Sequence, residues 1–207
     1  MTDVTGPSVA SARRRAPVPL HPDLESAWLA ELASAPGPGL PHQLHVRGTG
    51  RHGWLHECGA VAALAPLFRT PVHLDGGITG FRNLGGPVAA RLLEVLPEEF
   101  LATERQNDGP TIGAALRTVA AHADDVVAHG YLVSPRRCDE RVTVEGVLVR
   151  APRDLRVFRT HDDGCECDEL VAHAEALGID DARCRPHEIT PWFKTGGEDP
   201  WWRLWWD

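Results

Sequence analysis

Apolar positions recur at helical spacing through most of the first 123 residues. Leu24, Trp28 and Leu32 follow one another every four residues, with Asp23 and Glu25 where a first turn belongs. Pro22 stands where the first helical residue is expected, and PGPG at 36–39 ends the helix. Residues 57–65 read as a short helix closed by Pro66. Pro87 opens another, with Val88, Leu92 and Val95 on one face and Pro97 as its stop, and a short helix over 98–104 follows. Pro110 opens a third, carrying Ile112, Leu116, Val119 and Ala123. A further helix spans about 166–177, where Gly178 sits as the C′ residue.

Between these helices the period changes to two. DVVAHGYLV (125–133) and RVTVEGVLV (141–149) read as strands of an antiparallel hairpin, joined by the polar loop SPRRCDE. HQLHV (42–46) predicts a short strand, PVHLDGGITGF (71–81) a hairpin turning at Asp75-Gly76-Gly77, and RDLRVF (153–158) a third strand beside the main pair. ITPWF and WWRLWW are the C-terminal strands. Trp202, Leu204 and Trp206 then share one face, and Trp201, Arg203 and Trp205 the other. No internal repeat is present. The expected fold is α+β: a small antiparallel sheet, made of the hairpin 125–149 with neighbouring and C-terminal strands, packed with several short helices. Residues 1–20, rich in Pro, Ser, Ala and Arg and without periodicity, are expected to be a disordered tail, and 21–207 a single domain.

Composition narrows the function classes. The 207 residues suffice for a real core, and the 43% apolar and 24% charged content is that of a globular protein. A net charge of −8 argues against general nucleic-acid binding, which needs clustered positive charge. Twenty arginines against a single lysine, Lys194, point to a GC-rich bacterial genome. No stretch reaches the roughly 18–20 apolar residues of a membrane span, and no apolar segment follows Arg13–Arg15 as a secretory signal requires. The expected location is therefore the cytoplasm. Five cysteines cannot all pair within the chain, so thiols or metal ligands are expected.

Two stretches carry candidate chemistry. Cys165, Cys167, Cys184 and His187 give C-x-C-x16-C-x2-H, a ligand set of the type that holds structural zinc. Residues two apart on a helix point about 200° apart, so both thiols of C-x-C reach one metal only from the turn before the helix, which Asp162, Asp163 and Gly164 would supply. The competing reading puts Cys167 with Leu170, Val171, Ala174 and Leu177 on a buried helical face. A redox reading is opposed by Glu166, Asp168 and Glu169, whose charge disfavours a thiolate. The second stretch is ERQNDGPTIG (104–113). Arg105, Gln106, Asn107, Asp108 and Thr111 either hold a small anion at a helix start or serve as its cap and bend.

The aromatic terminus has two readings as well. Trp201, Trp202, Trp205 and Trp206 form either a docked strand or a surface for a protein partner or a second copy. No nucleotide-binding or hydrolase motif occurs in the chain. The expected function is that of a non-catalytic interaction or regulatory protein stabilised by zinc. The alternative is a small enzyme with an anion pocket at 104–111 that uses a histidine or cysteine as acid, base or nucleophile.

Overall fold

A computed structural model describes residues 21–35, 51–68, 71–74, 77–192 and 201–207. Among these residues seven α-helices surround one face of a five-stranded antiparallel sheet, the α+β architecture expected from the sequence. The predicted tail at 1–20 and the strand at 42–46 lie outside the described residues, as does the Asp75-Gly76 part of the predicted turn.

Helix α1 (Leu24–Ala33) begins two residues later than Pro22 suggests, because the Asp23 side chain accepts from the Ser26 amide and so caps the helix. Leu24 and Trp28 are its fully buried anchors. The helix expected at 57–65 is two short ones, α2 (Trp54–Glu57) and α3 (Ala60–Leu64), broken by Gly59 at φ +89°. Helices α4 (Gly86–Val95) and α5 (Glu98–Thr103) follow, then α6 (Ile112–Ala121), which packs on α4 and α5 and lies against the sheet.

The sheet has the order β1-β2-β3-β5-β4. The central hairpin is β2 (Val126–Val133) and β3 (Arg141–Arg150). Their register slips where His129 faces Gly146 and Gly130 faces Val144, leaving Glu145 as the extra residue of a bulge. Glycine is required at 130, since a Cβ there would stand 1.9 Å from the Thr143 carbonyl oxygen. β1 (Ile78–Leu84) pairs with β2 rather than with 71–74, and Val72 bridges to His21 instead. The 71–81 segment is therefore not the hairpin its sequence suggests. Residues 153–158 form no strand. They are an irregular segment whose Leu155 and Val157 still lean on the core. β4 (Glu188–Trp192) is the edge, and β5 (Trp201–Trp205) lies between it and β3.

The inner face of the sheet and the helices enclose one core, which Trp202, Leu204 and Trp206 join. The outer face holds a smaller cluster of Val127, Leu148 and Trp201, with Trp192 packed against it. Trp192 folds back over this face and stacks on His129, with ring centroids 6.2 Å apart and planes 9° apart. Burial, followed by the nearby Arg203 and Arg82, holds the His129 pKa down at about 4. The alternation read from WWRLWW is thus present, but both faces are covered: Trp201, Trp202 and Trp206 are buried and Trp205 is half-buried. No helix among the described residues is long and apolar enough to cross a membrane.

Candidate metal centre

The segment after β3 runs from residue 151 to 166 without regular structure and then enters α7 (Cys167–Ala176). Two of its residues take left-handed backbone conformations, His161 at φ +52° and Gly164 at φ +86°. They bend the chain back so that His161 faces the head of the helix. Glu166, the residue before α7, has φ −92° and ψ 51°. That is close to an inverse γ-turn, which brings the side chains on either side of it to the same side. The 200° problem of C-x-C is solved in this way: Cys165 precedes the helix, and Cys167 is its first residue.

Three lone-pair-bearing atoms converge as a result. His161 Nδ1 is 3.0 Å from Cys167 Sγ and 3.6 Å from Cys165 Sγ, and the two sulfurs are 2.8 Å apart. The other ring nitrogen, Nε2, donates to the Ile189 carbonyl oxygen of β4 at 2.7 Å. That bond fixes the tautomer in which Nδ1 offers a lone pair, the orientation that metal-bound histidines take from a backbone carbonyl. The Phe158 amide donates to Cys165 Sγ at 3.2 Å, as suits a sulfur carrying negative charge.

The electrostatics of the pair are asymmetric. Partial burial works to raise the Cys165 thiol, but hydrogen bonds from Cys167 and Phe158 and the nearness of the His161 ring outweigh it, and its pKa falls. Burial and the bond to Cys165 push Cys167 up to about 12. The Cys165 contact also raises the pKa of His161. One proton therefore leaves the pair readily and the second stays until something positive replaces it. His161, Cys165 and Cys167 could hold a metal ion.

This is not the ligand set drawn from the spacing. Cys165 and Cys167 are in it, and His161 takes the place expected of Cys184 and His187. Cys184 is exposed and lines a small cavity with Val171, Ala174 and Trp206, and its carbonyl oxygen accepts from Trp206 Nε1 at 2.9 Å. His187 is held at the end of β5, where its amide donates to the Trp205 carbonyl and its Nδ1 accepts from the Asp207 amide. The reading of Cys167 as buried core is correct for its neighbours Leu170, Val171 and Ala174, whereas Cys167 itself is half-buried. His161 could have been found in the sequence, since H-x3-C-x-C lies within seven consecutive residues.

The 104–111 stretch is spent on internal contacts. Arg105 donates to the Gly109 and Asp181 carbonyl oxygens. The amide and hydroxyl of Thr111 both donate to the Asp181 carboxylate, at 3.0 and 2.6 Å. The position an anion would occupy is thus filled by Asp181. Thr111, not Asp108 or Asn107, caps α6 by accepting from the Ala114 amide. Asn107, at φ +52°, donates to the Trp206 carbonyl. Gln106 accepts from the Tyr131 hydroxyl, and the Asp108 carbonyl accepts from the Arg183 amide. Compared with known protein families, curated proteins and solved structures, the chain matches none.

Proposed function

We propose that this chain is a non-catalytic metal-binding protein of the bacterial cytoplasm, in which one zinc ion on His161, Cys165 and Cys167 fastens the 158–166 segment and the head of α7 to β4. The observation that carries this reading is the aim of His161. Its Nε2 is bonded to Ile189, so its Nδ1 points a lone pair at two adjacent sulfurs. Two thiolates and an imidazole would supply three of the four ligands that zinc takes, and the thiolate charges offset the charge of the dication. The charges of Asp162, near His161, and of Glu169, near Cys167, add attraction for a cation, while that of Asp168 is shared with Arg185. Zinc–sulfur bonds of about 2.3 Å in a tetrahedron place two sulfurs roughly 3.8 Å apart. The pair at 2.8 Å must therefore open on binding. Gly164, with open space around it, gives the segment room to do so.

The test is elemental analysis of protein purified without chelator. About one zinc per chain is expected. Cys165→Ser, Cys167→Ser and His161→Ala should each lose it, whereas Cys184→Ser and His187→Ala should keep it. Cobalt substitution should give sulfur-to-metal charge-transfer absorption. Protein that carries no zinc and takes up no cobalt would refute the reading.

A further inference from the structure

We infer that the same dithiol is a redox-controlled release site, at which hydrogen peroxide joins Cys165 to Cys167 and expels the zinc ion. This rests on the zinc reading above and adds to it what governs the site. The sulfurs stand 2.8 Å apart, between the roughly 2.05 Å of a disulfide and the roughly 3.8 Å of a zinc dithiolate. Both chemical states are therefore reached by small movements in opposite directions. The turn at Glu166 makes this possible, because it folds the backbone so that residues two apart present their side chains together. Among the described residues this is the pair of cysteines whose sulfurs are in contact, so it closes with the least movement.

Access is open to a small oxidant. His161 and Gly164 are exposed, both cysteines are only half-buried, and nothing lies within 4 Å of where a Gly164 side chain would be. The chemistry balances in two steps. One thiolate attacks peroxide, the O–O bond breaks, and with one proton taken up the products are a sulfenic acid and water. The second thiolate attacks that sulfenic sulfur, and with another proton a second water leaves. In sum, the zinc dithiolate, hydrogen peroxide and two protons give a disulfide, Zn2+ and two waters. Two electrons pass from the sulfur pair to peroxide. A disulfide offers zinc no thiolate, and His161 alone does not retain it.

The experiment uses the full chain loaded with zinc and freed of reductant. Peroxide is added stepwise while released zinc is read with a coloured chelator and remaining thiols are counted. The expected result is one ion released for every two thiols lost, a Cys165–Cys167 disulfide in the peptide map, and recovery of zinc binding after a dithiol reductant and zinc are added. Cys184→Ser should behave as the parent does. Zinc that stays bound at peroxide concentrations that oxidise Cys184 would overturn the switch while leaving the zinc reading intact. Release accompanied by sulfinic acid instead of the disulfide would also overturn it. Protein that never holds zinc removes the zinc reading and this inference together, whatever its thiols then do.

Discussion

Replacing Glu140 by glutamine should make the stability of the protein less dependent on pH, with a sign that the structure fixes. Glu140 ends the β2–β3 turn and is 1% exposed. Its carboxylate accepts from the amides of Gly53 and Leu55, and its own carbonyl accepts from Trp54 Nε1. One side chain thereby pins α2 to the hairpin. Burial is the dominant influence and outweighs the two amides, so the carboxyl pKa rises from 4.5 to about 7. The folded state then binds the proton more tightly than the unfolded chain. The contribution of Glu140 to stability is fully present below 4.5 and is lost as pH rises through 7, by about 3 kcal/mol in all. Glutamine does not titrate. Its amide nitrogen cannot accept, whereas the hydroxyl oxygen of a protonated carboxyl still can, so at pH 4.5 the variant should be less stable by about 1–3 kcal/mol. By pH 8 that gap should have closed or reversed. Urea unfolding at pH 4.5, 6, 7 and 8, followed by tryptophan fluorescence, measures it, and subtracting the variant cancels the other titrating groups. A gap that is constant with pH, or that widens as pH rises, would refute the argument and mean that the two amides outweigh burial.

Trp206→Ala should cost ~3–5 kcal/mol, because the ring is 2% exposed and its Nε1 satisfies the Cys184 carbonyl, whereas half-buried Trp205→Ala should cost clearly less. Urea midpoints of the two variants decide it, and equal losses would contradict the burial pattern. Asp181→Ala should lower stability by about 1–2 kcal/mol through loss of its two bonds to Thr111. In a double-mutant cycle with Thr111→Ala the share of that loss due to the hydroxyl bond should disappear while the share due to the backbone amide remains, and full additivity would show that the two side chains do not act together.

The hairpin 125–149 is legible in the sequence because two apolar runs, the second rich in Val and Thr, flank a polar loop and leave little alternative to paired strands. α6 was legible because Ile112, Leu116 and Val119 repeat on one buried face. Gly178 was read correctly as a stop, at φ +115° and with the Ile179 amide returning to Ala174. Failures came where a long-range partner outbid a local signal. PVHLDGGITGF has good hairpin chemistry, yet β2 offers β1 a longer apolar partner and His21 claims Val72. Asp181 is seventy residues from Thr111, so nothing local could show that the polar loop before α6 already had its anion. The candidate metal group is half legible. Cys165 and Cys167 stand out by residue type and His161 lies four residues before Cys165, but its aim depends on a left-handed bend and on a carbonyl in a distant strand, which no local pattern shows.

The sheet order has a consequence for the timing of assembly. β4 precedes β5 in sequence, yet β5 is its sheet neighbour and separates it from β3. As the chain is made, β4 has no strand to join until β5 exists, so it enters the sheet with β5 or after it. The Ile189 carbonyl that aims His161 belongs to β4. The imidazole therefore has its aiming partner only after the last strand has arrived. On the proposed zinc site, rapid mixing should accordingly show tryptophan burial before zinc capture, with the ion acting as a latch on a finished sheet, not as a nucleus for building one.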